Sequence, residues 1–418
     1  MKRIKCLSIS SFSFDIVNIM QEKIKVVHII TRLILGGAQE NTLLTVEGLS
    51  KISDYEVTLF TGPPLGPEGS LVEEAKEKGL RLVLIDCLRR NIHPWLDFKS
   101  FFKLYSLLRT GSYHIVHTHS SKAGILGRIA AWCAGVPIII HTIHGLPFFP
   151  YQNKFMNFIT VNLERITALF TDKIITVCDN MAKKAHKAKV APLNKFLTIY
   201  SGMALDEFLK VKENKKLKET LGIKDNELVI GKIARLFELK GHRFLLKSAK
   251  EVIAQFPNTK FLLIGDGILK DKLEKQALDL GIADKIIFTG LVPREKIPDY
   301  ISIMDIVVHV SLREGLARAI PQALACGKPI ISFNIDGADE IIRNGQNGFL
   351  LPAPNMSEEE WDSYDCTQLT SSILKLLQND NLRKKMGDEG RKVVDPIFRA
   401  EYMVEKIDDL YKKLLKEI

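Results

Sequence analysis

The chain has no run approaching the ~20 uncharged apolar residues of a membrane-spanning helix, so no integral span is expected. Cysteine is scarce. The six thiols (Cys6, Cys87, Cys133, Cys178, Cys326 and Cys366) are scattered, and no two stand at zinc or redox spacing, which fits a reducing cytoplasm. There is no Asp-x-Asp, no GxGxxG, no internal repeat and no low-complexity tract. No cleavable signal is read either. The basic, briefly apolar start MKRIKCLSISSFSFDIVNIM is interrupted by Asp15, and no small-residue cleavage site follows. Met20 opens a cleaner start, so residues 1–20 read as a loose tail or a mis-assigned start, and the tail is bounded at residue 22.

What is present is enough chain for two cores: 418 residues, 46% hydrophobic and 26% charged. The net charge of +10 belongs entirely to the first half. Residues 1–200 carry 25 Lys and Arg against 15 Asp and Glu, whereas the other 218 carry 34 of each. Lys183, Lys184, Lys187 and Lys189 form the densest cluster. It is either a solvated helix face or a patch for an anionic membrane surface or phosphorylated acceptor. No nucleic-acid partner is expected.

Short β-rich runs alternate with helical segments along the chain. The first set comprises 25–31, 55–62, 81–86, 114–120, 137–145 and 173–179, and the second 228–236, 260–267, 285–290, 305–311, 329–335 and 347–352. These runs are almost continuously apolar, the pattern of parallel strands covered on both faces. Helices are expected between them at 94–110, 122–134, 153–171, 241–255, 269–281 and 316–326. The alternation pauses in the charged stretch near 200–227 and then restarts. The expected fold is therefore α/β, with two doubly wound Rossmann-like domains facing across a cleft: 23–203 and 204–395, then a helix at 396–418 returning to the first.

Four motifs sit where such sheets bind ligands. Gly36 and Gly37 follow the first strand and open a helix, where backbone can approach an anion. Histidines end two strands, His117 and His119 in HTH and His141 and His144 in HTIHG. His144, beside Gly145, is the better candidate to face the cleft. A metal would need a third converging ligand, which the spacing does not reveal, so no metal is expected. Arg235 and Lys240 could hold a diphosphate at a strand end and helix start. In SLREGLARAIPQALACGKPII, Glu314 can accept from sugar hydroxyls, and Gly315 and Leu316 can offer backbone N–H groups to a phosphate. Gln322 is read two helical turns on, on the same side.

Together with EIIRNGQNGFL, GDG and the Gly202 link, these motifs fall in the order of glycosyltransferase family 4, the retaining GT-B enzymes, which residues 25–395 resemble. The resemblance implies an acceptor-binding first domain, a nucleotide-sugar-binding second domain, and transfer from a nucleotide diphosphate sugar, UDP-linked by family habit. It also implies site roles. His144 and Glu314 lie beside the donor sugar, and Arg235, Lys240, Gly36 and Gly37 beside the diphosphate. His117 and His119, ending a strand of the first domain, are expected on the acceptor side. Gln322 stands where the family has a second glutamate, a ribose contact; the amide keeps hydrogen-bonding capacity but loses the charge. Asp-x-Asp carries the metal in the other large glycosyltransferase class, so its absence implies metal-independent catalysis and no cofactor. The expected setting is cytoplasmic, peripheral on the inner membrane face, with a lipid-linked or anionic acceptor. Two alternatives stand beside this: a non-catalytic sugar-nucleotide-binding subunit, favoured by Gln322 alone, and a nucleotide-sugar epimerase, against which the ordered motifs argue.

Overall fold

A computed structural model describes residues 22–66, 69–356 and 358–418. The expected tail lies outside these residues apart from Glu22. The chain folds into two parallel sheets flanked by helices. The first has seven strands in the order β3-β2-β1-β4-β5-β6-β7: β1 Ile24–Arg32, β2 Tyr55–Gly62, β3 Arg81–Leu84, β4 Ile115–His119, β5 Ile138–Ile143, β6 Lys173–Thr176 and β7 Phe196–Thr198. The second has six in the order β10-β9-β8-β11-β12-β13: β8 Leu228–Ile233, β9 Thr259–Ile264, β10 Ile286–Gly290, β11 Ile306–His309, β12 Ile330–Phe333 and β13 Gly348–Leu351. In both, the chain runs outward from a central strand and then jumps back across it, the doubly wound pattern.

The apolar runs form strands for the reason their composition suggests. β5 is buried at all six positions and β1 at its central six, so both faces of each strand are covered. Burial of each such Val, Ile or Leu contributes about 1.5–3 kcal/mol. Most of the strands are shorter than their apolar runs at the carboxyl ends. β8 stops at Ile233 rather than 236 and β11 at His309 rather than 311. There the chain leaves the ladder to form loops, and the candidate site residues lie in those loops. β7 is a short strand that the sequence did not announce.

The helices used below are α1 Gly37–Ser50, α2 Pro94–Gly111, α3 Ser121–Ala134, α4 Lys154–Ala168, α5 Asp179–Lys187, α6 His242–Gln255, α7 Ala319–Ala325 and α8 Ala400–Leu415. α2 starts where it does because His93 accepts from the Leu96 N–H and Pro94 occupies the first turn, where no backbone donor is needed. The chain divides into two compact units. One holds the residues to Thr142, Phe170–Lys173 and Asp408–Ile418; the other holds Ile143–Leu169 and Ile174–Ile407. In the first, Val27, Ile29, Phe60, Val116 and Ile139 pack with Leu104 and Leu108 of α2. In the second, Phe244, Phe261, Val308 and Phe333 centre one core, and Ile320, Val307 and Ile330 belong to another.

Candidate active site

In the second unit, β11 ends at His309 and the chain enters the loop that carries Glu314. The Glu314 carboxylate accepts from Lys240 Nζ at 2.6 Å, and His309 Nε2 lies 3.3 Å from the same oxygen. The Glu314 backbone N–H donates to Asp336 Oδ2 at 2.8 Å. Burial acts to raise the carboxyl pKa, but Lys240 and His309 overcome it and hold the group well below the usual carboxylate range. Glu314 is thus an ionised, acceptor-only group. Asp336 sits at a left-handed φ of 47° and also receives Lys184 Nζ at 2.7 Å, so one member of the exposed lysine cluster is engaged here.

Lys240 is placed by the turn before α6. It ends a single 3-10 turn, and Gly241 follows with φ 68° and ψ 27°. A Cβ at Gly241 would stand 1.9 Å from the Val310 carbonyl oxygen, so the glycine lets this turn approach the end of β11. Arg235 lies in the loop after β8, exposed, with its guanidinium 4.9 Å from the Phe237 ring centroid.

The loop around Gly315 also meets the chain after β5. A Cβ at Gly315 would stand 1.9 Å from the His144 carbonyl oxygen. Arg313 secures this contact, donating to the Leu146 carbonyl at 2.8 Å and lying 3.6 Å over the Phe149 ring. The His144 side chain keeps a partly exposed edge, yet burial pushes its pKa down to about 4. The imidazole is therefore neutral at pH 7, with one nitrogen donating and one accepting.

The structure brings together Glu314, Lys240, Gly315 and His144. It adds His309, Arg313 and Asp336, which sequence reasoning missed. Only His309 carried a usable signal, as one more histidine ending a strand. The expected start of the helix after β11 needs correction. Glu314, Gly315 and Leu316 do not open a helix; α7 begins at Ala319, so Gln322 shares no helical face with Glu314. Pro321 is the physical reason. It fits the first turn of a helix starting at Ala319, whereas in the interior of a longer helix it would remove a hydrogen bond and clash with the preceding turn. Gln322 is half-buried on α7.

Beneath this loop Lys232 is fully buried on β8, and its Nζ has no hydrogen-bond partner among the described residues. Burial pushes its pKa down to about 7, only partly offset by Glu314. The unfolded chain binds that proton up to the ordinary lysine pKa, so stability should rise with pH from about 7 to about 10.5. Lys232→Met is expected to stabilise the fold by about 2 kcal/mol near pH 7, with the advantage shrinking toward pH 10. Urea unfolding at a series of pH values checks this, and a destabilised variant near pH 7 would mean that Lys232 is paired in solution.

In the first unit, Gly36 caps α1 and Gly37 opens it, immediately after β1. His117 and His119 lie on one face of β4, both essentially without solvent exposure. Parallel pairing sets His28 of β1 opposite His117, supplying the third histidine that the spacing did not reveal. The ligating nitrogens of the three lie within 4.8 Å of one another. His28 Nδ1 lies 2.9 Å from His119 Nε2, and the Tyr411 hydroxyl bridges the third ring, at 2.6 Å from His117 Nδ1 and 3.3 Å from His28 Nε2, while His117 Nε2 meets Thr142 Oγ1 at 2.6 Å. Burial pushes the His28 pKa down to about 3, so the ring stays neutral. The cluster ties the end of α8 to the sheet, and its buried rings do not offer the acceptor contact expected of His117 and His119.

The chain matches the family described as Glycosyltransferase Family 4 over residues 35–207 and that described as Glycosyl transferases group 1 over residues 213–393. It is 30% identical over 393 residues to the UDP-Gal:alpha-D-GlcNAc-diphosphoundecaprenol alpha-1,3-galactosyltransferase of Escherichia coli, with 93% of this chain and 97% of that one covered. It is 27% identical to the capsular polysaccharide biosynthesis glycosyltransferase CapM of Staphylococcus aureus, with 82% of this chain and 88% of that one covered. Its fold is that of Anabaena Alr3699/HepE, solved in complex with UDP and glucose, at a TM-score of 0.78 and 19% identity, with 93% of this chain and 100% of that one covered. No helix among the described residues is long and apolar enough to cross a membrane.

Proposed function

The chain belongs to glycosyltransferase family 4, and from that membership we propose that it moves a hexosyl residue from a UDP-sugar to a lipid-linked saccharide, retaining the anomeric configuration and using no metal ion. The family and the relatives make it a GT-B glycosyltransferase of polysaccharide and glycolipid assembly. The UDP-sugar and the polyprenyl diphosphate acceptor are taken from the name of the Escherichia coli relative, and the solved complex of HepE with UDP and glucose supports the same donor. In this reading residues 23–203 bind the acceptor at the inner face of the membrane and residues 204–395 bind the donor.

The observation that carries the reading is the half-buried, ionised Glu314 paired with Lys240, with the His144 carbonyl against Gly315. Glu314 accepts from the donor's hydroxyls, and neutral His144 positions the same sugar. Arg235, Lys240 and the N–H groups of Gly315 and Leu316 face the diphosphate, a role the family motif also gives to Gly36 and Gly37; Gln322 meets the ribose. As the bond from the anomeric carbon to the diphosphate breaks, these donors stabilise the charge gathering on the leaving oxygen. The acceptor hydroxyl attacks from the side of the departing group, and its proton passes to the leaving phosphate oxygen.

The test is incubation with a panel of UDP-sugars and a short-chain polyprenyl diphosphate saccharide, with and without EDTA, the product's anomeric configuration being read by proton NMR. An α-linked product formed equally in EDTA is expected. A requirement for added magnesium, or a β-linked product, would overturn the corresponding part. Thermal stabilisation by UDP with no turnover of any sugar would bring the non-catalytic reading forward.

A further inference from the structure

α2 has two faces, and only one of them is explained by the core. Ser100, Leu104 and Leu108 point inward and are buried. On the other side Trp95, Phe98 and Phe102 remain 59%, 55% and 49% exposed, and Ile92, just before the helix, 79%. Their spacing of three and four residues makes a single stripe. Trp95 and Phe98 are stacked with centroids 6.0 Å apart, and Phe98 and Phe102 are 4.6 Å apart. Cations share this stripe. Lys99 Nζ lies 5.2 Å from the Trp95 ring centroid; Lys103 follows one turn on, and Arg89 and Arg90 precede the helix, all exposed. Of the nearby carboxylates, Asp97 is bound to Lys122, and Asp86 is left exposed.

We propose that this face of α2 docks on an anionic lipid bilayer. Aromatic rings sit well at the level of the headgroups, and lysines beside them can lay their stems on apolar surface while the ammonium reaches phosphate. Four cations near a negatively charged leaflet add attraction that salt screens. The charge also disfavours a second copy of the chain, because a two-fold contact would set this stripe against itself, cation on cation. The proposal rests on the reading of a lipid-borne acceptor and gives it a place of contact.

The test is co-sedimentation of the full chain with vesicles of phosphatidylglycerol and phosphatidylcholine in equal parts, and with phosphatidylcholine alone. Binding to the anionic vesicles only, weakened by salt, is expected. The triple change Trp95→Ser, Phe98→Ser, Phe102→Ser, and separately Lys99→Glu with Lys103→Glu, should each weaken it at least about tenfold. In a Trp132→Phe background, where the other tryptophan is the buried Trp361, the emission should shift to the blue on binding as Trp95 leaves water. α4 serves as the control, since it exposes Phe155 and Phe158 at 68% and 67%, and Phe155→Ser with Phe158→Ser should leave binding unchanged. Binding that ignores the α2 changes, or is lost through α4 instead, would overturn the proposal. So would light scattering that shows the α2 triple variant to be a monomer where the parent is a dimer. Transfer to a water-soluble acceptor separates the two readings. If transfer persists without vesicle binding, only the docking proposal falls; if no transfer occurs to any acceptor, the catalytic reading falls.

Discussion

Glu314→Gln is expected to lower kcat by about 10³-fold, the scale of losing one preorganised electrostatic group, while KM for the nucleotide sugar changes far less. The amide keeps the shape of the side chain, so the loop can stay in place. What it loses is the charge. Glu314 is ionised because Lys240 at 2.6 Å and His309 at 3.3 Å outweigh its burial, and both contacts hold the same oxygen, Oε1, leaving the other to accept. The amide has one acceptor oxygen where the carboxylate has two, and it turns an N–H toward groups that expect an acceptor. It also leaves the Lys240 ammonium without its counter-charge, free to swing from the position the pair imposes. Steady-state kinetics with circular dichroism on the same preparation decides the matter. A folded variant within about threefold of the parent would remove Glu314 from the active site, and with it the proposed role of the Lys240 pair.

Gly241→Ala should destabilise the chain by about 3 kcal/mol, a fall in Tm of roughly 6–12 °C for a unit of this size, and should cut transfer sharply in the fraction that folds. Two costs combine. A left-handed backbone disfavours any Cβ by about 1–2 kcal/mol. The added carbon would also stand 1.9 Å from the Val310 carbonyl oxygen, so the turn and the end of β11 must part. Lys240 precedes the glycine and Glu314 lies four residues beyond Val310, so that movement separates the ion pair. Gly281→Ala is the matched control. Its φ of 71° carries the same backbone cost, but nothing lies within 4 Å of its Cβ position, so about 1 kcal/mol is expected. Equal effects at the two positions would show that close approach at Gly241 has no importance.

Much of the fold was legible because it depends on local pattern. Almost continuous apolar runs can only be strands covered on both faces, and their alternation with helices forces parallel, doubly wound sheets. The charged stretch near 200–227 interrupted that pattern without supplying a strand, and it holds two short helices, Leu205–Leu209 and Lys215–Thr220. Glu314 and Lys240 could be singled out because strand ends beside glycines are where such sheets bind ligands. The start of α7 was misread because the apolar spacing through 316–326 suits a helix throughout, and only Pro321 says where the first turn must fall.

The sequence by itself determined the class of fold, the family and the residue types available for chemistry, since each follows from composition, periodicity and motif order along the chain. Only the tertiary structure decided which of those residues meet. The turn at Lys240, the end of β11, the loop at Asp336 and the chain after β5 converge on Glu314 from positions far apart in sequence. His28 joins His117 and His119 solely because β1 and β4 pair in parallel in one register. Contacts of that kind depend on strand order and on how closely backbones can approach. Neither leaves a periodic trace in the sequence, and a glycine that permits close approach reads the same as one that merely turns the chain.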